Sequence, residues 1–235
     1  MVQGFYAAAA GMVAQMAAQE VVAHNLANAA TPGYRHRNIV TSSFPAVLSA
    51  AQTSSAPAAS SGPSVDFRPG SLQRTDRSSD LALQGDGWFT LQTPAGLRYT
   101  RDGRFTVTAD HRLVSLDGSV VMGCQGPIVL PGSDFSVDSR GQVFSEGRLV
   151  DQLFLAQFDG PSQLQVTGPA QFGARVAPRQ SATAEVLSGY LEQPNFAPVT
   201  ELVQMISLYR LYEANQRALQ MQDRTVDVLV NKVAS

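Results

Sequence analysis

The chain has 235 residues, a formal net charge of −2 and a pI near 5.9, so it offers no broad positive surface for nucleic acid or anionic lipid. Its single cysteine, Cys124, excludes an internal disulfide, and its three histidines are scattered without metal-ligand spacing. Only 15% of the residues are charged, against about 25% in an average protein. We therefore expect no nucleic-acid partner, no metal and no cofactor.

The N-terminal segment predicts an amphipathic helix from Gly4 to about Ala29. Its larger apolar residues lie at spacings that place them on one helical face: Phe5, Met12, Met16, Val22 and Leu26. Pro32 and Gly33 predict that the helix stops near Thr31. The segment has no basic stretch before it and is only weakly apolar, so we expect neither a cleaved signal peptide nor membrane insertion.

A long polar segment follows this helix. Residues 41–65 carry no charge and are mostly Ser, Ala, Thr and Pro. Such a composition cannot form a core, and we expect an extended linker or a long loop over 35–65.

The middle of the chain changes to a period of two, which is typical of strands. The clearest predicted strands cover 88–92, 104–108 and 152–158, and turn-forming pairs separate the apolar runs. Those pairs are Asp86-Gly87, Asp102-Gly103, Asp117-Gly118, Arg140-Gly141 and Glu146-Gly147. This pattern predicts an antiparallel β module between about Val65 and Leu191.

The C-terminal segment predicts a helix from about Ala197 to Val233, with Pro198 in its first turn. Steps of three and four along it give a mostly apolar line: Met205, Leu208, Tyr212, Asn215, Leu219, Gln222, Val226, Leu229 and Val233. A shorter second line comprises Leu202, Ile206 and Tyr209. The pattern suits a coiled coil or a long bundle helix, although a core helix of one compact domain is the simpler alternative.

These elements together predict a mixed α and β fold. We expect long N- and C-terminal α-helices that pair as a coiled-coil-like unit, with a central antiparallel all-β module. The expected division is an assembly helix at 1–34, a linker at 35–65, an outer β module at 66–192 and a second assembly helix at 193–235.

An enzyme is disfavoured because the sequence lacks the nucleophile-elbow, phosphate-loop and dinucleotide motifs. Asp86, Asp102 and Asp117 of the module precede glycine, where turn geometry explains them. Trp88, the only tryptophan, is more typical of a core residue than of a sugar platform. Distant paired carboxylates stay open, so the alternative from another class is a secreted β-rich carbohydrate-binding or carbohydrate-active protein.

Four motifs, in order along nearly the whole chain, resemble the bacterial flagellar rod and hook protein family. They are Asn25-Leu26-Ala27-Asn28-Ala29-Ala30-Thr31-Pro32-Gly33-Tyr34, Ser79-Asp80-Leu81-Ala82-Leu83-Gln84-Gly85-Asp86-Gly87-Trp88-Phe89, Tyr99-Thr100-Arg101-Asp102-Gly103-Arg104-Phe105, and Gly189-Tyr190-Leu191-Glu192-Gln193-Pro194-Asn195-Phe196-Ala197-Pro198-Val199. Proximal rod members of the family look most similar, and distal rod members come second.

The resemblance implies a non-enzymatic subunit of the flagellar basal body that polymerises helically into the drive shaft and export channel. It implies copies of itself, other rod proteins and the flagellar export apparatus as partners, with no small-molecule substrate. It also implies export without a cleaved signal to the rod in the periplasmic space. The residues expected at subunit interfaces are Phe5, Met12, Met16, Val22, Asn25, Leu26, Asn28, Thr31, Gly33, Tyr34, Leu202, Met205, Ile206, Leu208, Tyr209, Tyr212, Asn215, Leu219, Val226, Leu229 and Val233. For Asn25 and Asn28, ordinary helix capping is an equal alternative.

Overall fold

The computed structural model describes residues 2–38, 64–132, 134–181 and 183–233. Side chains are described except at 2–10, 161, 222, 223 and 225–233. The chain divides into two compact units. Unit 1 comprises 1–27, 37–66 and 197–235, and unit 2 comprises 28–36 and 67–196. Most of the predicted linker, at 39–63, lies outside the described residues.

The described residues of unit 1 form two helices and a short antiparallel strand pair. Helix α1 spans Val2–Ala27, and helix α2 spans Pro198–Val233. Strand β1 (Arg37–Asn38) pairs with β2 (Ser64–Val65). The alanine-rich sequence favours α1, because alanine has a high helix propensity. Pro198 suits the first position of α2, because an N–H at that position has no partner within the helix. The two helices contact each other within this unit.

The prediction of long terminal helices paired as a coiled-coil-like unit is wrong. Helix α1 is the short one, with 26 residues, and nearly all the other described elements are strands. The buried face of α1 carries Gln15 and Asn25 beside Ala18 and Val22, so half of it is polar. Met16, which was assigned to that face, is 57% exposed. Such a surface lacks the repeating apolar side chains that knobs-into-holes packing requires.

Unit 2 is built of short strands. They are β3 (Leu72–Arg74), β4 (Leu81–Gln84), β5 (Trp88–Thr93), β6 (Gly96–Thr100), β7 (Phe105–Val107), β8 (Leu113–Ser115), β9 (Val120–Val121), β10 (Ser136–Val137), β11 (Gln142–Ser145), β12 (Arg148–Gln152), β13 (Leu155–Gln157), β14 (Leu164–Val166), β15 (Gln171–Ala174), β16 (Arg179–Gln180), β17 (Glu185–Ser188) and β18 (Tyr190–Glu192). A single 3-10 turn covers Pro161–Gln163.

All the described strand pairs are antiparallel, which confirms the predicted central β module. The main sheet has the order β14-β15-β6-β5-β9-β8-β7, with β13 paired to both β5 and β16. Smaller sheets are β10-β11-β12, β17-β4 and β18-β3. One apolar core joins these sheets, and its largest side chains include Phe89, Phe105, Leu91, Leu113 and Ile128.

Two local predictions of the β module have different outcomes. The pair Glu146-Gly147 joins β11 to β12 with φ of 52° and 76°, as a primed hairpin turn requires. The single strand predicted over 152–158 is wrong. It is divided between the end of β12 and β13, because the backbone N–H of Leu153 donates instead to Gly141. Within the described helices, no stretch has the length and apolarity needed to cross a bilayer.

Candidate assembly site

A buried charge cluster in unit 2 joins residues from three distant parts of the sequence. Arg35 donates from Nη1 to Glu192 Oε1 at 2.6 Å, and Arg101 donates from Nη1 to Glu192 Oε2 at 3.2 Å. The three side chains are each no more than 6% exposed. The backbone N–H of Gly70 also donates to Glu192, at 2.9 Å. One carboxylate therefore compensates two guanidinium groups in a place that water hardly reaches.

Trp88 packs against both arginines of this cluster. The guanidinium carbons of Arg35 and Arg101 lie 5.5 and 5.4 Å from its ring centroid, within the range of cation–π attraction. Phe67 and Phe172 both approach the same ring edge-on. Burial lowers the pKa of Arg101, and the charge of Arg35 adds to the lowering, whereas Glu192 opposes it. Trp88 is buried, as the sequence predicted, and its ring helps to stabilise the charge of Arg101.

Gly33 allows Arg35 to reach the cluster. Its φ of +68° lies in the left-handed region, and a Cβ placed on it would overlap the backbone of Arg101. Its N–H donates to the carbonyl of Glu192 at 2.7 Å. Further on, the N–H of His36 donates to Oδ1 of Asn195 at 2.7 Å. The 28–36 segment is thus bonded through its backbone as well as its side chains to the segment that precedes α2.

A second polar junction lies in unit 1, at the amide of Asn25. Its Nδ2 donates to Oε2 of Glu201 at 3.0 Å and to the carbonyl of Arg37 at 2.9 Å. Its Oδ1 accepts from the N–H of Arg37 at 3.1 Å. Asn25 and Glu201 are 1% and 3% exposed. One side chain therefore bonds α1, β1 and the first turn of α2 together.

Helix α2 carries an exposed apolar stripe, which we call the α2 stripe. Its residues are Val199, Leu202, Val203, Ile206 and Tyr209, each between 47% and 73% exposed. Each lies three or four positions from at least one other member, so together they cover one side of the helix. Monomeric proteins rarely leave such a contiguous apolar surface in water, and where it occurs it marks an interaction site.

The structure places the expected interface residues in four groups. Buried residues are Val22, Asn25, Gly33 and Tyr34; exposed residues are Met16, Leu202, Ile206 and Tyr209; half-buried residues are Met12, Leu26, Asn28, Thr31, Met205, Leu208, Tyr212, Asn215 and Leu219. The side chains of Phe5, Val226, Leu229 and Val233 lie outside the described part of the chain. Among the described side chains, the exposed group presents the largest fraction of its surface to another molecule.

The aspartates considered for catalysis have structural contacts. Asp102 forms an ion pair with Arg104 at 2.7 Å across a turn. The backbone carbonyl of Asp80 accepts from Gly189 at 2.8 Å, and that of Asp86 accepts from the hydroxyl of Ser181 at 2.6 Å. Across the described residues, no three His, Cys, Asp or Glu side chains are grouped so that they could hold a metal ion.

Arg101 and Glu192 lie inside the quoted motifs without an expected role, and Arg35 and Glu201 were not among the expected site residues. A signal was present at Glu192. It is the only charged residue between Glu185 and Glu201, and a charge in such a stretch is buried only when it is paired. The identity of the partners could not be found, because Arg35 and Glu192 are 157 residues apart.

Comparison with protein families gives three matches along the chain. The family described as flagella basal body rod protein matches residues 5–35. The flagellar hook protein FlgE/F/G D1 domain matches 82–145, and the flagellar basal body rod FlgEFG protein C-terminal family matches 187–232. Arg35 and Arg101 fall in the first two matched segments, and Glu192 and the α2 stripe fall in the third.

Curated relatives match over almost their whole length. The flagellar basal-body rod protein FlgF of Mesorhizobium japonicum is 31% identical over 231 residues, covering 94% of this chain and 93% of the relative. FlgF of Salmonella typhimurium is 32% identical over 222 residues, with 86% of each chain covered. The flagellar basal-body rod protein FlgG of Bacillus subtilis is 26% identical over 261 residues, covering 98% of this chain and 99% of the relative.

Proposed function

The chain belongs to the flagellar basal-body rod protein family, and from that premise we propose that it is a structural subunit of the proximal part of the rod. The family is a structural one and not an enzyme family. The chain works, in this proposal, by packing rigidly against copies of itself and against other rod proteins, so that the assembly transmits torque.

The observation that carries the proposal is the α2 stripe. Burying it between subunits removes apolar surface from water, which is the main driving force of protein association. An interface formed by different surfaces on two neighbours builds a helical filament when the rotation between subunits does not close a ring. In this proposal the stripe is one of the two surfaces, and a different surface of the neighbouring subunit covers it.

The assignment to the proximal rod rests on the relatives named FlgF, which match at about 30% identity over most of the chain. A relative named FlgG matches at 26% identity, and the distal rod is accordingly the second candidate. How far the partial rod extends in a strain that lacks the chain would distinguish the two positions.

Export and location follow from the same proposal. The chain leaves the cytoplasm through the flagellar export apparatus, without a cleaved signal, and joins the rod where it crosses the periplasm. The relatives named as flagellar basal-body rod proteins support this location.

The test is a charge placed in the α2 stripe. Ile206 is 47% exposed, so Ile206→Glu should leave the free protein folded, yet it would bury an unpaired carboxylate between subunits. We expect non-motile cells, with the protein exported but absent from purified basal bodies. Gln204→Glu is the matched control, since Gln204 is exposed on the same helix but lies outside the stripe. Normal motility of Ile206→Glu would contradict the proposal.

A further inference from the structure

The bonds of Asn25 suggest a role that no comparison assigns to it. Both N–H groups of its amide donate, one to Glu201 and one to the carbonyl of Arg37, and its oxygen accepts from the Arg37 N–H. The bond to Glu201 is charge-assisted and buried, so it is stronger than a bond between neutral groups. Asn25 is two residues from the end of α1, and Glu201 is in the first turn of α2.

The described side chains of α1, from residue 11 onward, give the two helices little else to fix their register. The buried ones are Gln15, Ala18, Val22 and Asn25, of which only Val22 is bulky and apolar, and Met12 and Leu26 are half-buried. Oε1 of Gln15 is buried without a hydrogen-bond partner, so it adds no directional contact. Sliding one helix by a turn, about 5.4 Å, changes such a smooth surface little, but it breaks the bond from Asn25 to Glu201.

We infer that Asn25 is the positioning residue that sets the axial register of α1 against α2. The inference rests on the proposed function, because the register decides which apolar residues of the two helices lie side by side for a neighbouring subunit. A buried polar residue that selects one register at a small cost in stability is a known device in helix pairs. Here the partner is a carboxylate, which makes the selection sharper, because a buried charge that loses its N–H donor costs more free energy than a buried neutral group that loses one.

The register of α1 against α2 can be measured where Gly11 of α1 approaches Asn215 of α2, away from Asn25 and Glu201. A Cβ at Gly11 would lie 3.4 Å from Nδ2 of Asn215, so cysteines introduced by Gly11→Cys and Asn215→Cys are in reach of a disulfide. The background is Cys124→Ser, because Cys124 is exposed. A second reporter replaces Asn215→Cys with Leu219→Cys, one turn further along α2. Both pairs are tested by mild oxidation of the purified full-length chain.

The decisive variant is Asn25→Asp. It removes both N–H donors and places a carboxylate oxygen against Glu201. We expect formation of the 11–215 disulfide to fall by about tenfold or more, with the 11–219 disulfide rising. Asn28→Asp is the matched control, because it makes the same chemical change just beyond the end of α1, at a side chain whose Oδ1 accepts from the hydroxyl of Thr31 at 3.4 Å. That change should leave both disulfides at the parent level.

The double variant Asn25→Asp with Glu201→Gln tests the cause. A glutamine amide at 201 can donate to the new carboxylate, so the 11–215 disulfide should return to near the parent yield. Unchanged fluorescence of Trp88, the only tryptophan and a unit 2 residue, would show that unit 2 is still folded. If Asn25→Asp proves poorly folded, Glu201→Ala removes the acceptor without adding a charge, and the same shift between the two disulfides is expected.

Parent-level yield of the 11–215 disulfide in Asn25→Asp would overturn the inference, as would an equal loss in Asn28→Asp or the absence of rescue by Glu201→Gln. The assay uses the free protein in solution. Its result is therefore independent of whether the chain enters the rod, which the motility and basal-body experiment measures separately.

Discussion

Arg35 and Glu192 form an ion pair at 2.6 Å, with both side chains about 1% exposed and 157 residues of sequence between them. The pair joins the segment that follows α1 to the segment that precedes α2. Arg101 shares the same carboxylate. The first segment of unit 2, 28–36, and the end of its second segment, 67–196, therefore meet at this cluster.

Removing the shared carboxylate should strongly destabilise unit 2. Glu192→Gln leaves two buried guanidinium groups without a counter-charge, and breaking a buried pair in this way typically costs about 3–5 kcal/mol. The free energy of unfolding can be followed by Trp88 fluorescence in a denaturant titration. As a control, Asp159→Asn removes an ion pair whose side chains are 66% and 81% exposed, and it should change stability by less than about 0.5 kcal/mol. Equal effects of the two changes would contradict the role of the cluster.

Gly33→Ala should be far more harmful than an alanine at another left-handed glycine. At Gly33 the new methyl group overlaps the backbone of Arg101, whereas at Gly118, with φ of +83°, nothing lies within 4 Å. Gly118→Ala should therefore cost only the conformational strain, about 1–2 kcal/mol. Thermal unfolding of the two variants gives the comparison, and similar melting temperatures would show that the close approach at Gly33 is unimportant.

Two threonines of unit 2 should respond in opposite directions to the same substitution. Oγ1 of Thr90 is buried without a partner, so Thr90→Val should stabilise the protein by about 1 kcal/mol. Oγ1 of Thr100 donates to the carbonyl of Ala170 at 2.7 Å and accepts from Asp102 at 3.0 Å. Thr100→Val should therefore destabilise by about 1–3 kcal/mol. Denaturant midpoints measure both, and a loss of stability in Thr90→Val would contradict the assignment of an unpaired hydroxyl.

Asp117 should make stability depend on acid pH. Burial alone would raise its pKa, but hydrogen bonds from Ser115, Ser119 and Gln171 together outweigh burial and lower the pKa below its ordinary value. Because the pKa is lower in the folded state, the contribution is present above the unfolded pKa of about 4 and is lost as the pH falls through the folded value.

The variant that checks this is Asp117→Asn, compared with the parent by urea unfolding at several pH values below about 5. The parent should lose stability more steeply than the variant as the pH falls. Ser119→Ala removes one of the hydrogen-bond donors to Asp117, and its loss of stability with falling pH should be intermediate between those of the parent and Asp117→Asn. Parallel curves for the parent and Asp117→Asn would mean that the pKa of Asp117 is not lowered by folding.

The sequence was informative where its signal is local. Period-two patterns and turn pairs such as Glu146-Gly147 predicted the antiparallel module, because side-chain alternation and left-handed turn residues act within a few positions. Helical spacing in α2 was informative only in part. Leu202, Ile206 and Tyr209 follow helical periodicity and are exposed in the single chain, because spacing tells which residues share a face and not what covers that face.

The two polar junctions could not be predicted in the same way. Asn25 meets Glu201 across 176 residues, and Glu192 meets Arg101 across 91. Hydrogen-bonding capacity is visible in the residue types, but pairing at that separation depends on the fold. The sequence motif identified the segment that contains Asn25 and Gly33. The structure showed what each does: Asn25 donates to Glu201, and Gly33 allows a close approach to the backbone of Arg101.

The central claim is that this chain is a part of the flagellar rod. The most direct test is a deletion strain of the source bacterium, assayed for swimming and for the basal-body parts that remain in purified envelopes. We predict loss of motility, with the membrane-embedded base present and the outer rod and hook absent, and restoration of both by the intact gene. Normal swimming with complete basal bodies would contradict the claim.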